Sequence, residues 1–173
     1  MFEVFLIFLA IAMQPGAPST TAVAAVSGAE QWSAPAPPGD AAPAGNQLVA
    51  EPQTPTGKFT TATEVKPILN ATKANWVAVR EWDGQDLIYV THIWSWRCGL
   101  AELRIGVNGA APEVWPLPEC HMEMPMPSVM LEQDGLPYRE FPLASVQQIE
   151  VQITYDDLST DVSTFARAAV LMP

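Results

Sequence analysis

Apolar and polar residues alternate strictly near the C-terminus. Ile149, Val151, Ile153 and Tyr155 fall on one side of an extended chain, and Glu150, Gln152 and Thr154 on the other. A period of two residues is the mark of a half-buried β-strand. "DDLSTD" then supplies turn-forming residues and "VSTFARAAVL" returns, which predicts a C-terminal hairpin. The same period runs through "GLAELRIGVNG", where Ala101, Leu103, Ile105 and Val107 oppose Glu102 and Arg104 before Asn108-Gly109 turns the chain. "ANWVAVREWDGQDLIYVTHIWSW" divides at Asp83-Gly84 into two β-rich runs, a second hairpin. Its later arm is read as strand through Trp96, with His92, Trp94 and Trp96 on one face and Tyr89 and Ile93 on the other. "EVWPLP" adds a short strand. Only one stretch has a helical period: in "TATEVKPILNATKANW", Val65, Ile68, Leu69 and Thr72 share a face, and Thr61 or Thr63 can cap its start. The spacing predicts a helix over 64–73, with Pro67 confined to the opening turn.

Five or six strands joined by short turns, with one helix, predict a mainly β domain. Its form is an antiparallel sheet or small β-sandwich with one short N-terminal helix; an α+β arrangement is the alternative. This single globular domain is expected over 58–173. Before it, residues 25–57 are dominated by Pro, Ala, Gly, Ser and Thr, as in "SAPAPPGDAAPAG", and bury too little surface to offset the entropy of ordering. They read as a disordered, extended linker with Trp32 as its one adhesive point. The chain opens on "MFEVFLIFLAIAM", an apolar run of signal-peptide length and too short to span a bilayer. Ala22-Val23-Ala24 supplies an A-x-A cleavage site, so 1–24 is read as a signal peptide, atypical in having Glu3 and no basic residue ahead of the run. A periplasmic or secreted protein without a transmembrane helix in its mature form is the expectation.

Charge narrows the partners. The 173 residues carry a formal charge of -11, with eight Lys and Arg scattered between Lys58 and Arg167. That balance repels phosphate backbones and argues against nucleic acid as a partner.

The candidate chemistry lies in "CHMEMPMP", residues 120–127. A thiol, an imidazole and three thioethers in eight residues are the side chains that Cu(I) prefers. In an exported chain with two cysteines, however, Cys98 and Cys120 have one intramolecular pairing and are expected to form a structural disulfide. Closing that loop of about 20 residues stabilises by roughly 3 kcal/mol. A copper site would then rest on His121, Met122, Met124 and Met126; otherwise these methionines are flexible packing material. Trp94, Trp96 and Trp115 are candidates for an exposed contact patch, with core packing as the alternative. Glu81, Asp83 and Asp86 are candidate acid–base carboxylates, although acids beside Asp83-Gly84 also describe an exposed turn. Asp156, Asp157 and Asp161 lack the glycine and full spacing of a calcium loop and read as a solvated turn. No nucleophile elbow, phosphate-cradling glycine loop or paired-histidine metal helix occurs, so no catalytic residue and no cofactor other than copper is nominated.

At "EVKPIL", "WVAVREWDGQDLIYVTHI", "WRCG", "DGLPY" and "FARAAVLMP" the chain resembles a group of small exported alphaproteobacterial proteins without an assigned activity. The resemblance covers residues 60–173. It implies an envelope location and a stable domain, and it transfers no site. The expected function is that of a non-enzymatic envelope or periplasmic domain acting through contacts with an unidentified envelope protein. A periplasmic copper-binding protein using residues 121–126 is the alternative.

Overall fold

The computed structural model describes residues 47–173. The expected signal at 1–24 and the 25–46 part of the expected linker lie outside the described residues. The elements run α1 (Ala62–Ala71), β1 (Ala78–Trp82), β2 (Gln85–Tyr89), α2 (Thr91–Trp94), β3 (Leu100–Val107), β4 (Glu113–Trp115), β5 (Tyr138–Pro142), β6 (Gln148–Tyr155), β7 (Thr160–Ala166) and α3 (Arg167–Val170). Among the described residues the strands form two antiparallel sheets, ordered β1-β2-β5 and β4-β3-β6-β7. The domain is mainly β, as the alternation predicts.

The long strands follow the sequence pattern closely. In β6, Ile149, Val151, Ile153 and Tyr155 are all buried, and each full burial stabilises by about 1.5–3 kcal/mol. β3 lies beside it with Leu103 opposite Ile153 and Ile105 opposite Val151, so both strands deliver their apolar faces to one core. The β1–β2 turn is the two-residue type expected, with Asp83 and Gly84 at φ 49° and 76° and Trp82 paired with Gln85. β5 is the strand that pattern reading misses. "YREFP" is short and begins beside an irregular segment, but it pairs along β2 from Tyr89↔Tyr138 to Gln85↔Pro142, with Pro142 at an edge that tolerates it.

Three local expectations are corrected. The arm after β2 does not continue as strand through Trp96. It ends at Tyr89 and turns helical, with the Trp94 N–H donating to the Val90 carbonyl at 3.0 Å. The helical turn lets the consecutive Ile93 and Trp94 both enter the core, which a strand would forbid. Helix α1 starts two residues earlier than predicted, and Pro67 therefore lies in its second turn. Its start is set from a distance: Asp156 Oδ1 accepts the Ala62 N–H at 2.8 Å, and Gln53 Oε1 accepts the Thr63 N–H at 3.0 Å. Asp156 is thus a buried cap and not part of a solvated turn. Gln53, with Glu51 donating to the Asp156 carbonyl, also pins to the domain a stretch that composition assigns to the linker.

The third correction concerns the acids near Asp83. Asp86 is 0% exposed. Its carboxylate pairs with Arg167 at 2.6 Å and accepts the Val146 N–H at 3.0 Å, while Arg167 also reaches Glu81 at 2.5 Å. The pair joins the β1–β2 hairpin to the end of β7 and explains why "FARAAVL" leaves the sheet after Ala166 to form α3.

The Arg167 guanidinium, aided by the Val146 N–H and opposed by burial, holds the Asp86 carboxyl below its ordinary value. A depressed carboxylate contributes stability that is full above the unfolded value of about 3.9 and is lost as pH falls through the folded value. Asp86→Asn is therefore expected to cost about 3 kcal/mol at neutral pH and to flatten the acid limb of the stability curve. Urea unfolding of both proteins between pH 2 and 7 checks this; parallel curves would contradict it.

Candidate functional site

Residues 116–136 contain no strand, and their only regular piece is a 3₁₀ turn at Glu132–Asp134. A lobe of this kind has backbone carbonyls that no sheet ladder satisfies. Arg97 supplies the missing donors. Its side chain is fully buried, and its guanidinium donates to the carbonyls of Pro118, Glu119, Ser128 and Val129 in the lobe and to that of Trp94 in its own turn, at 2.6–3.2 Å. Its charge is met by Asp134 at 3.4 Å. Burial disfavours the Arg97 cation, and Asp134 works against that effect.

Two further ties surround this centre. Cys98 and Cys120 form the expected disulfide, with Cα atoms 5.6 Å apart, so the residue next to Arg97 is joined covalently to the lobe. Gly99 follows because no side chain fits there: a Cβ would lie 2.8 Å from the Thr61 carbonyl carbon and oxygen, where α1 begins. Asp134 accepts from the His121 ring Nε2 at 2.9 Å and from the Leu131 N–H at 2.9 Å. These bonds, His121 first, hold the Asp134 carboxyl below its ordinary value. The His121 N–H donates to the Pro127 carbonyl and closes the methionine-rich loop on itself.

The bracing shapes an apolar cleft of about 520 Å³ on the lobe's outer side. Trp96 forms part of its wall and meets Phe59 edge to face, with ring centroids 5.3 Å apart. Met126, Val129 and Met130 complete the apolar surface, and Lys58 stands among the lining residues. Phe59 is 43% exposed, Met130 42% and Met126 68%. Phe59 also has φ 58°, a conformation that bulky residues rarely adopt and that clusters at ligand-facing sites. The strap carrying it is held by Glu64, which accepts the N–H groups of Thr56, Gly57 and Thr60. Burial would raise the Glu64 carboxyl, but these bonds hold it below its ordinary value.

The candidate residues separate on this frame. The copper set does not converge. His121 Nε2 is committed to Asp134, Met122 lines a second hollow beside the disulfide, and Met126 lines the cleft. Met124 is half-buried. Among the described residues no group of three or more His, Cys, Asp and Glu side chains is placed to hold a metal ion. The tryptophan patch is likewise divided: Trp94 and Trp115 are 4% and 3% exposed and belong to the core, and Trp96 alone reaches the cleft. His92 sits on α2 and bonds the Thr72 hydroxyl at 2.7 Å, with burial lowering its pKa. Lys58, Phe59, Val129 and Met130 are the site residues that sequence reading passes over. The extension of "MPMP" into "MPMPSVM", and a lone aromatic in "GKFT" where the linker composition ends, are the signals that point to them.

Reduction of the disulfide is expected to loosen the lobe before the sheets. Limited proteolysis of the full chain under reducing conditions should cut first within 119–130 and spare β6, at a stability cost of about 3 kcal/mol. First cuts elsewhere in the domain would contradict this. Compared with protein-family models, with curated proteins and with solved structures, the chain finds no match in any of the three.

Proposed function

We propose that the chain is an exported, non-enzymatic binding domain of the periplasm or cell envelope that acts through protein contacts, with the apolar cleft as its working surface. The observation that carries this reading is the exposure of Phe59, Met126 and Met130 around Trp96 on a lobe braced by a buried arginine and a disulfide. Exposed apolar residues grouped in one concavity mark interaction sites, and a volume near 520 Å³ lies within the range of ligand-accepting clefts. Methionine suits such a surface because its flexible thioether adapts to a partner.

The disulfide supports an oxidising compartment, and among the described residues no helix is long and apolar enough to cross a membrane. The acids once open to a catalytic reading have other tasks: Asp86 and Glu81 hold Arg167, and Asp156 caps α1.

Met126→Glu places a charge in the cleft without touching the Arg97 centre. Capture from envelope extract by the immobilised full chain is expected to weaken by about 30-fold in this variant, the effect of losing one strong interface residue. Met172→Glu, exposed at the far end of the chain, should leave capture unchanged. A captured set indifferent to Met126→Glu would remove the cleft as the working surface.

A further inference from the structure

The lysine at the cleft shows what the partner brings to it. The chain has eight Lys and Arg. Among the described residues, Lys66, Lys73, Arg97, Arg104 and Arg167 lie within 4.0 Å of carboxylates, and Arg80 and Arg139 lie over the rings of Trp82 and Trp115. Lys58 has neither kind of partner there, and it is the one that lines the apolar cleft. In a chain of net charge -11, moreover, no Asp or Glu lines that cleft. Trp96, on the same wall, has a buried indole N–H with no acceptor among the described residues. The cleft therefore combines apolar surface with hydrogen-bond donors and a cation, and lacks side-chain carboxylates.

Resting on the reading of the cleft as a protein-contact surface, we infer that it receives the C-terminal end of a partner polypeptide, an apolar last residue carrying a free α-carboxylate. The apolar side chain fills the space between Trp96, Phe59 and Met126, and the carboxylate faces Lys58. The last peptide carbonyl brings a further acceptor to a wall that holds donors. An alkyl acid provides the carboxylate and the apolar body without that carbonyl. An internal segment of a polypeptide provides the carbonyl and the side chain without the terminal charge. Capture of a C-terminal carboxylate is a recurring mode of peptide recognition.

The test is calorimetric titration of the purified full chain with acetyl-Ala-Leu-Phe as the free acid, with the same peptide as its C-terminal amide, and with decanoate. The free acid is expected to bind roughly fivefold tighter than the amide, the effect of one partly exposed ion pair. Lys58→Met should bring the free acid down to the amide's affinity and leave the amide unchanged. Lys58 is exposed, and its side chain bonds nothing among the described residues, so the variant keeps the fold. Met126→Glu should weaken both peptides together. Equal binding of acid and amide, or an acid advantage that survives Lys58→Met, overturns the carboxylate assignment and leaves the protein-contact reading standing. Decanoate binding tighter than the free-acid peptide assigns the site to a lipid-like acid and overturns the peptide. Failure of both peptides to bind at millimolar concentration also overturns it. Indifference of peptide binding to Met126→Glu counts against the cleft itself, and so separates the two failures.

Discussion

A buried guanidinium takes the place of a sheet ladder for about a sixth of the described chain. A segment as rich in proline and methionine as 116–136 cannot form strands that satisfy one another, and its carbonyls would cost free energy wherever they left water unpaired. Arg97 gathers four of the lobe's carbonyls and one from its own turn around a single planar donor group. It suits the task because its fork of N–H groups is rigid and its charge is retained when buried. Asp134 balances the charge and passes the constraint on to His121 and Leu131, and the adjacent disulfide makes the arrangement covalent at one point. A buried ion pair of this sort is weak support for overall stability but strong support for one arrangement of the groups around it.

The cleft depends on that arrangement on one side and on the strap on the other. Met126, Val129 and Met130 keep their places because the loop carrying them is closed by the His121–Pro127 bond and held at Ser128 and Val129 by Arg97. Phe59 and Lys58 keep theirs because Glu64 holds the turn over 56–60 and Asp156 fixes the start of α1 behind it. Two buried or half-buried acids and one buried base, none of them in the cleft, thus set its shape. The positive φ of Phe59 is where this framework holds the backbone away from its preferred conformation.

How much of this was legible in the sequence follows from the range of each interaction. β3 and β6 were readable because their burial repeats every two residues, and the β1–β2 turn because Asp-Gly accepts positive φ. The disulfide was readable because two cysteines allow one intramolecular pair. The stretch 91–96 was not, since Thr, Ile and Trp suit a strand equally well and only the need to bury Ile93 and Trp94 together favours a helical turn. Nor were Asp86 and Asp156: an acid beside a turn looks the same whether it meets water, an arginine 81 positions later or a helix start 94 positions earlier. In the candidate site the methionines were visible as a cluster, but their use as one wall of a cleft depends on Arg97, which in sequence is only a basic residue before a cysteine.

The central claim, that Arg97 holds the lobe and so shapes the cleft, is tested most directly by native-state hydrogen exchange on Arg97→Met with the disulfide intact. Amide protection at 121–134 is expected to fall by two orders of magnitude or more, about 3 kcal/mol or greater, while β3 and β6 keep their protection relative to one another. A lobe that remained as protected as in the parent chain would show that the disulfide and packing alone define the cleft, and would contradict the account.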